Sequence, residues 1–155
     1  MHDIPETAGA VMSARTYAAP LLVTLAYVVW YYALFTNQLR VKTKLKRAYR
    51  ARGEKFDRYF GADREMLAAD RYVGNMLEHM PTFLLLLWLN AIFVDPLSAA
   101  VAGAVYVGSR VLYPFVMGQR LGPGLPSRIL LATVVGYTVV AYFVVRLAVK
   151  VIVAT

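Results

Sequence analysis

Four apolar stretches, each long enough to cross a bilayer as a helix, divide the chain. A span needs roughly 20 mostly apolar residues. The first covers about residues 17–39 and holds no charged side chain. Pro20 falls in its first turn, where a missing N–H costs little. The second covers about residues 72–94 and is closed by the Asp95-Pro96 pair. The third covers about 97–117, and the breaker-rich segment from Gly118 to Pro126 follows it. The fourth covers about 129–149. This pattern predicts an all-α, integral membrane four-helix bundle, with residues 1–155 forming a single multi-pass domain.

The polar connections set an expected orientation. Residues 40–71 carry eleven lysines and arginines against five acids. In so short a loop, such an excess marks the cytoplasmic side. The connection holding Arg120 and Arg128 then lies on the same side, with the Asp95-Pro96 turn and both termini opposite. Arg146 and Lys150, near the C-terminus, run against this rule. Asp63 is the expected N-cap of a second helix that starts before the bilayer and enters it near Tyr72.

Composition narrows the chemistry. Hydrophobic residues make up 59% of the chain, above the roughly 45–50% of soluble domains. The absence of cysteine excludes a disulfide framework, a thiolate metal site and a cysteine nucleophile. Two histidines are too few for most metal sites, so no metal is expected. The start, Met1 to Glu6, lacks the basic region of a cleavable signal, so the first span is expected to persist. The host membrane is expected to be a bacterial inner membrane or the endoplasmic reticulum.

Ionisable groups inside spans are functional hypotheses by default. Arg71, Asn75 and Glu78 stand four and then three residues apart, which sets them on one side of the second helix. Pro81 follows and frees the carbonyl of Leu77. On the third helix Arg110 and Tyr113 lie one turn apart, and Pro114 frees the carbonyl of Arg110. Counting residues from the cytoplasmic side puts Glu78 and Arg110 at nearly equal depth, so they are expected to meet or to share a ligand. Each residue also has a plainer reading. Arg71 suits an interfacial anchor, Asn75 interhelical glue, and Glu78 with Arg110 a structural buried pair. His79 points to another face and reads as structural. Asn90 reads as packing glue, and the cluster Tyr27, Trp30, Tyr31 and Tyr32 as packing or an aromatic belt.

The motif Arg71-x-x-x-Asn75-x-x-Glu78-x-x-Pro81, on the second of four spans, resembles the MAPEG family. These are membrane-associated proteins in eicosanoid and glutathione metabolism. The segment from Thr36 to Lys42, with Arg40, is similar to the end of the family's first helix. Arg110-x-x-Tyr113 with Gly118 resembles its third-helix motif. The resemblance runs over about residues 15–150. It implies a homotrimer binding glutathione between subunits near the cytoplasmic face. Arg40 and Arg71 would bind its carboxylates or hold their neighbours, and Asn75 would bond its peptide. Glu78 would hold its amino group with Arg110 as structural partner, and Tyr113 would line the pocket. The family's thiol-activating arginine corresponds best to Arg128, with Arg120 in reserve. A tyrosine common in the family one turn after Tyr113 is replaced here by Val116 or Met117.

The function this implies is a membrane-bound glutathione transferase that conjugates the glutathione thiol to lipophilic electrophiles, a detoxification chemistry, with peroxidase activity on lipid hydroperoxides as a companion. The alternatives are a non-enzymatic lipid-binding or scaffold member of the same family, and a structural subunit of a larger complex. Expected partners are glutathione, lipophilic small molecules, membrane lipids and further copies of the chain, with no nucleic acid.

Overall fold

A computed structural model describes residues 15–122 and 129–154. Among these, four helices are long and apolar enough to cross a membrane. They are α1 (Ala18–Ala51), α2 (Arg64–Phe93), α3 (Pro96–Met117) and α4 (Ile129–Ala154). The chain is all-helical, and α2 and α3 form its centre. Helix α1 packs on both of them from one side, and α4 packs on both from the other.

The basic segment expected as a loop over 40–71 is largely helical. Helix α1 continues without a break to Ala51, about 18 Å past Leu39 at 1.5 Å per residue. No proline or glycine interrupts it before Gly53, whose positive φ of 74° follows the helix end. A chain of basic, helix-favouring residues has no reason to unwind on leaving the apolar span. Only residues 52–63 form the connection. Asp63 caps α2 as expected, accepting the N–H groups of Glu65 and Met66. Asp95 caps α3 through the Ser98 N–H at 2.6 Å, with Pro96 in the first turn.

The connection folds back onto the helices. Arg58 makes a two-pronged contact with Asp70, each bond 2.7 Å, and Gln38 of α1 donates to the same carboxylate at 2.7 Å. A small cluster of Leu45, Met66 and Ala69 lies beneath, covered by Val41, Tyr49 and Phe56. At the other end of α3, Gly118 has a φ of 80°, and Tyr72 donates its hydroxyl hydrogen to the Gly118 carbonyl. Leu121 N–H reaches the Arg64 carbonyl at 3.1 Å. The chain leaving α3 is thereby fastened across the start of α2.

The main core is aromatic. Phe83 and Tyr106 stack with ring centroids 4.0 Å apart, and Tyr27 packs on both rings. Tyr27 donates to the Met76 carbonyl at 2.5 Å, so α1 is pinned to α2 by a bond as well as by area. Gly103 makes this closeness feasible. A Cβ there would lie 2.9 Å from Leu87 and 2.9 Å from Val23, a use of small residues that brings membrane helices together. Asn90 bonds the carbonyls of Leu86 and, across to α4, Phe143 at 3.1 Å, the interhelical role expected of it.

Candidate functional site

The polar stripe of α2 divides in two. Arg71 and Glu78 are on the outer surface, with side chains 48% and 57% exposed and closest atoms 3.6 Å apart. Asn75 turns inward and is buried. Helical geometry explains the split. At about 100° per residue, Arg71 and Glu78 fall within about 20° of each other, whereas Asn75 sits about 40–60° to one side. Three residues that share a broad face still straddle its edge.

Arg110 is 2% exposed and lies deep between α2, α3 and α4. Its guanidinium donates to Asn75 Oδ1 at 2.8 Å and lies 4.8 Å from the centroid of the Tyr106 ring. The space it occupies is provided by Gly136 of α4, where a Cβ would collide with the guanidinium. The expected meeting of Glu78 and Arg110 is not found: Arg110 bonds Asn75, and Glu78 faces Arg71. Equal depth fixes height along the bundle but not direction around a helix. The vacancy at Gly136 and the inward amide of Asn75 draw Arg110 the other way.

This arrangement orients Asn75. Because Oδ1 accepts from Arg110, the NH₂ end of the amide must face away from the guanidinium. Arg110 is therefore a positioning group within the bundle. Its backbone is also held. Pro114 removes the helical partner of the Arg110 carbonyl, and the Trp30 indole N–H donates to that carbonyl at 3.3 Å.

The remaining residues are dispersed within the chain. Tyr113 is buried in the core. Arg40 is exposed and lines a cleft of about 330 Å³ with Asn37, Lys44, Glu65, Tyr72 and Gln119. A second, more apolar cleft of about 380 Å³ shares Asn37, Tyr72 and Gln119 and adds Trp30, Pro114 and Phe115. Neither cleft includes Arg71 or Glu78. Arg120 is exposed at the end of α3, and Arg128 lies outside the described residues. His79 packs edge-on against Tyr137 with centroids 5.6 Å apart, in keeping with a structural role. Among the described residues no cluster of metal-ligating side chains occurs.

A sequence model of the MAPEG family matches residues 20–149. The chain belongs to the MAPEG family. It is accordingly an integral membrane protein, of a family that includes glutathione transferases as well as non-enzymatic members. No curated protein matches the sequence. Within this MAPEG chain, sequence reasoning missed Gly136 and Gln119, and it read Trp30 as packing or an aromatic belt without its bond to the Arg110 carbonyl. Trp30 had a signal, since a carbonyl freed by proline in a membrane must find a donor. Gly136 had none, because a glycine in an apolar span is ordinary.

Proposed function

We propose that this MAPEG protein is a glutathione transferase that conjugates the glutathione thiol to lipophilic electrophiles at the membrane surface. The observation that carries the reading is the Arg71–Glu78 pair. Charges of both signs stand half-exposed on a membrane helix, Arg71 at the point where α2 enters beside Tyr72 and Glu78 about 9 Å further in. Such groups are costly against lipid, so this face calls for a polar ligand, a neighbouring subunit, or both. At 3.6 Å the two hold each other loosely and keep hydrogen-bonding capacity for a ligand.

The donor set fits glutathione. That tripeptide brings two carboxylates, one ammonium and peptide groups. Arg71 and Arg40 suit the carboxylates, Glu78 the ammonium, and the oriented amide of Asn75 a peptide carbonyl. Charge-assisted bonds of this kind are strong and directional. Arg40 and the α2 stripe lie on different surfaces of one chain, so a closed ring of copies, a homotrimer in our reading, would bring one subunit's Arg40 to another's Arg71 and Glu78. The two adjoining clefts, one charged and one apolar, suit a polar thiol beside a lipophilic partner.

Bound glutathione supplies the nucleophilic sulfur, which is reactive as the thiolate. We assign Arg128 to favour that thiolate, with Arg120 as the other basic group of the same connection. The basic end of α1 faces the cytoplasm in this reading, where it attracts the anionic tripeptide. A lipid-binding role without glutathione is the alternative that the apolar cleft favours.

The test is calorimetric titration of glutathione into the detergent-purified protein, beside Arg71→Ala and Glu78→Ala variants with unchanged helicity. Binding that is retained by the intact protein and lost in both variants is the expected result. An intact protein that binds fatty acid but no glutathione would overturn the transferase reading. Equal turnover of electrophile by Arg128→Ala and the intact enzyme would remove that residue from the mechanism.

A further inference from the structure

Two large apolar side chains stand off the helices altogether. Tyr59 and Phe60, on the connection between α1 and α2, are 85% and 93% exposed. The other exposed large hydrophobics among the described residues lie on the four helices, where lipid accounts for them. The helical spans do not explain this pair, because it belongs to the polar connection. Adjacent exposed aromatics of this kind mark a contact with lipid or with protein.

The backbone holds the pair in place. Asp57 Oδ1 accepts the N–H groups of Tyr59 and Phe60, each at 2.9 Å. A Cβ on Gly61 would collide with the Asp57 carbonyl, so the turn closes tightly behind the two rings. Arg58 fastens this turn to Asp70 of α2 by two bonds of 2.7 Å, and its guanidinium lies 5.9 Å from the centroid of the Tyr59 ring. The tip is thus fixed on α2, and the exposure of the rings belongs to its built shape.

Height along the bundle identifies what the rings meet. Asp70 precedes Tyr72, where α2 enters the bilayer, by about 3 Å of helix. Gln38, which donates to the same carboxylate at 2.7 Å, directly precedes Leu39 at the end of the apolar span of α1. Two helices therefore put Asp70 at the hydrocarbon boundary, and the turn stands within one arginine side chain of it. A bilayer exceeds its hydrocarbon core by about 10–15 Å, so the headgroup layer on each face is about 5–8 Å deep. The rings fall in that layer, where aromatic side chains are favoured. Leu67, one turn before Asp70 on α2, is exposed as well, so apolar surface continues past Tyr72 at this height. The neighbouring end of α1 carries six lysines and arginines over residues 40–51 and no acid, a charge that draws this end of the molecule to an anionic lipid surface.

We propose that Tyr59 and Phe60 form an interfacial anchor that inserts into the headgroup layer of the leaflet on the side of the basic α1 extension. The occupant of this surface is lipid. The anchor holds the connection down beside Asp70 and so fixes it at the edge of the bilayer. The assignment uses neither glutathione nor a neighbouring subunit, and it does not depend on the transferase reading.

The absence of cysteine allows a local test in phosphatidylcholine nanodiscs, whose two faces are both open to solution. Phe60→Cys and, as a control, Ala51→Cys are each labelled with the fluorophore NBD. Ala51 is exposed and lies about 18 Å beyond Leu39 along α1. A phosphatidylcholine that carries a nitroxide on its headgroup should quench the label at 60 several-fold more than the label at 51. Aqueous iodide should show the reverse order. A third label, at the exposed Ala62, leaves both rings in place. Its quenching by the nitroxide lipid should fall several-fold in Tyr59→Ser/Phe60→Ser and be retained in Phe60→Leu. Equal nitroxide quenching at 60 and 51 would overturn the proposal, as would quenching at 62 that survives the loss of both rings. A label at 60 shielded from nitroxide and iodide alike would mean that protein, such as a second copy of the chain, covers the tip, and would overturn it as well.

Discussion

Asn75 and Glu78 stand one turn apart on α2, yet they belong to different physical systems. Glu78 is held by one loose contact with Arg71 on an exposed face. Asn75 is buried and fixed by a 2.8 Å bond from an arginine that three helices enclose. The outer pair is free to exchange partners, as a ligand site requires. The inner couple is not, and it sets the orientation on which the outer pair's ligand would depend. A polar stripe spread along one helix thus combines groups that stabilise the bundle with groups that leave it incomplete.

The sharpest way to break this contrast is Arg110→Ala. Removing the guanidinium leaves a cavity beside Gly136 and an unpaired Asn75 acceptor. A stability loss of about 3 kcal/mol or more is expected from the cavity and the orphaned group together. Glutathione affinity should fall with it. Thermal unfolding in detergent with calorimetry measures both; a variant as stable as the parent would mean that Arg110 is no structural element.

Gly136→Ala separates the two systems more finely. One methyl group on α4, touching no proposed ligand residue, displaces Arg110 from Asn75. We expect glutathione affinity to drop about tenfold, near 1.4 kcal/mol, with α2's outer charges untouched. An unchanged binding isotherm would show that the orientation of Asn75 does not matter. Tyr106→Phe should do far less. The Tyr106 hydroxyl is buried without a hydrogen-bond partner, so its removal should change stability by no more than about 0.5 kcal/mol, or raise it.

The smallest expected effect concerns the far end of the bundle. Asp95 is held below the usual carboxylate range, first by the Ser98 N–H, then by the Ser98 hydroxyl, with the charge of Arg146 adding to both. A depressed folded-state pKa means that the cap's contribution is complete above the unfolded value of about 3.9 and fades as pH falls through the folded one. The melting difference between the parent and Asp95→Asn should therefore be present at pH 6 and shrink toward pH 3. A difference independent of pH would remove the charge from the argument.

The four helices were legible in the sequence because length and apolarity are sufficient signals for a span, and the Asp63 cap because its side chain acts locally. The end of α1 was not. Hydropathy reports where lipid stops, and a helix stops only where its backbone is given a reason to. The site was legible as a set of residues and illegible as an arrangement. Spacing puts Arg71, Asn75 and Glu78 on one side of α2. The inward turn of Asn75 depends on Arg110, and the path of Arg110 depends on a glycine on another helix. No local pattern encodes a vacancy that a distant side chain fills.

The Pro114–Trp30 contact bears on how the bundle comes together. As a lone inserted helix, α3 carries a carbonyl that its own backbone cannot satisfy, a penalty of several kcal/mol in hydrocarbon. The partner is the indole of Trp30 on α1. Helix α3 is therefore completed only when α1 docks in one register, and a slip of a single turn would leave the carbonyl facing lipid. The proline works as an address: it makes one pairing of helices worth more than its neighbours, so the alignment of α3 on α1 is favoured by a single bond.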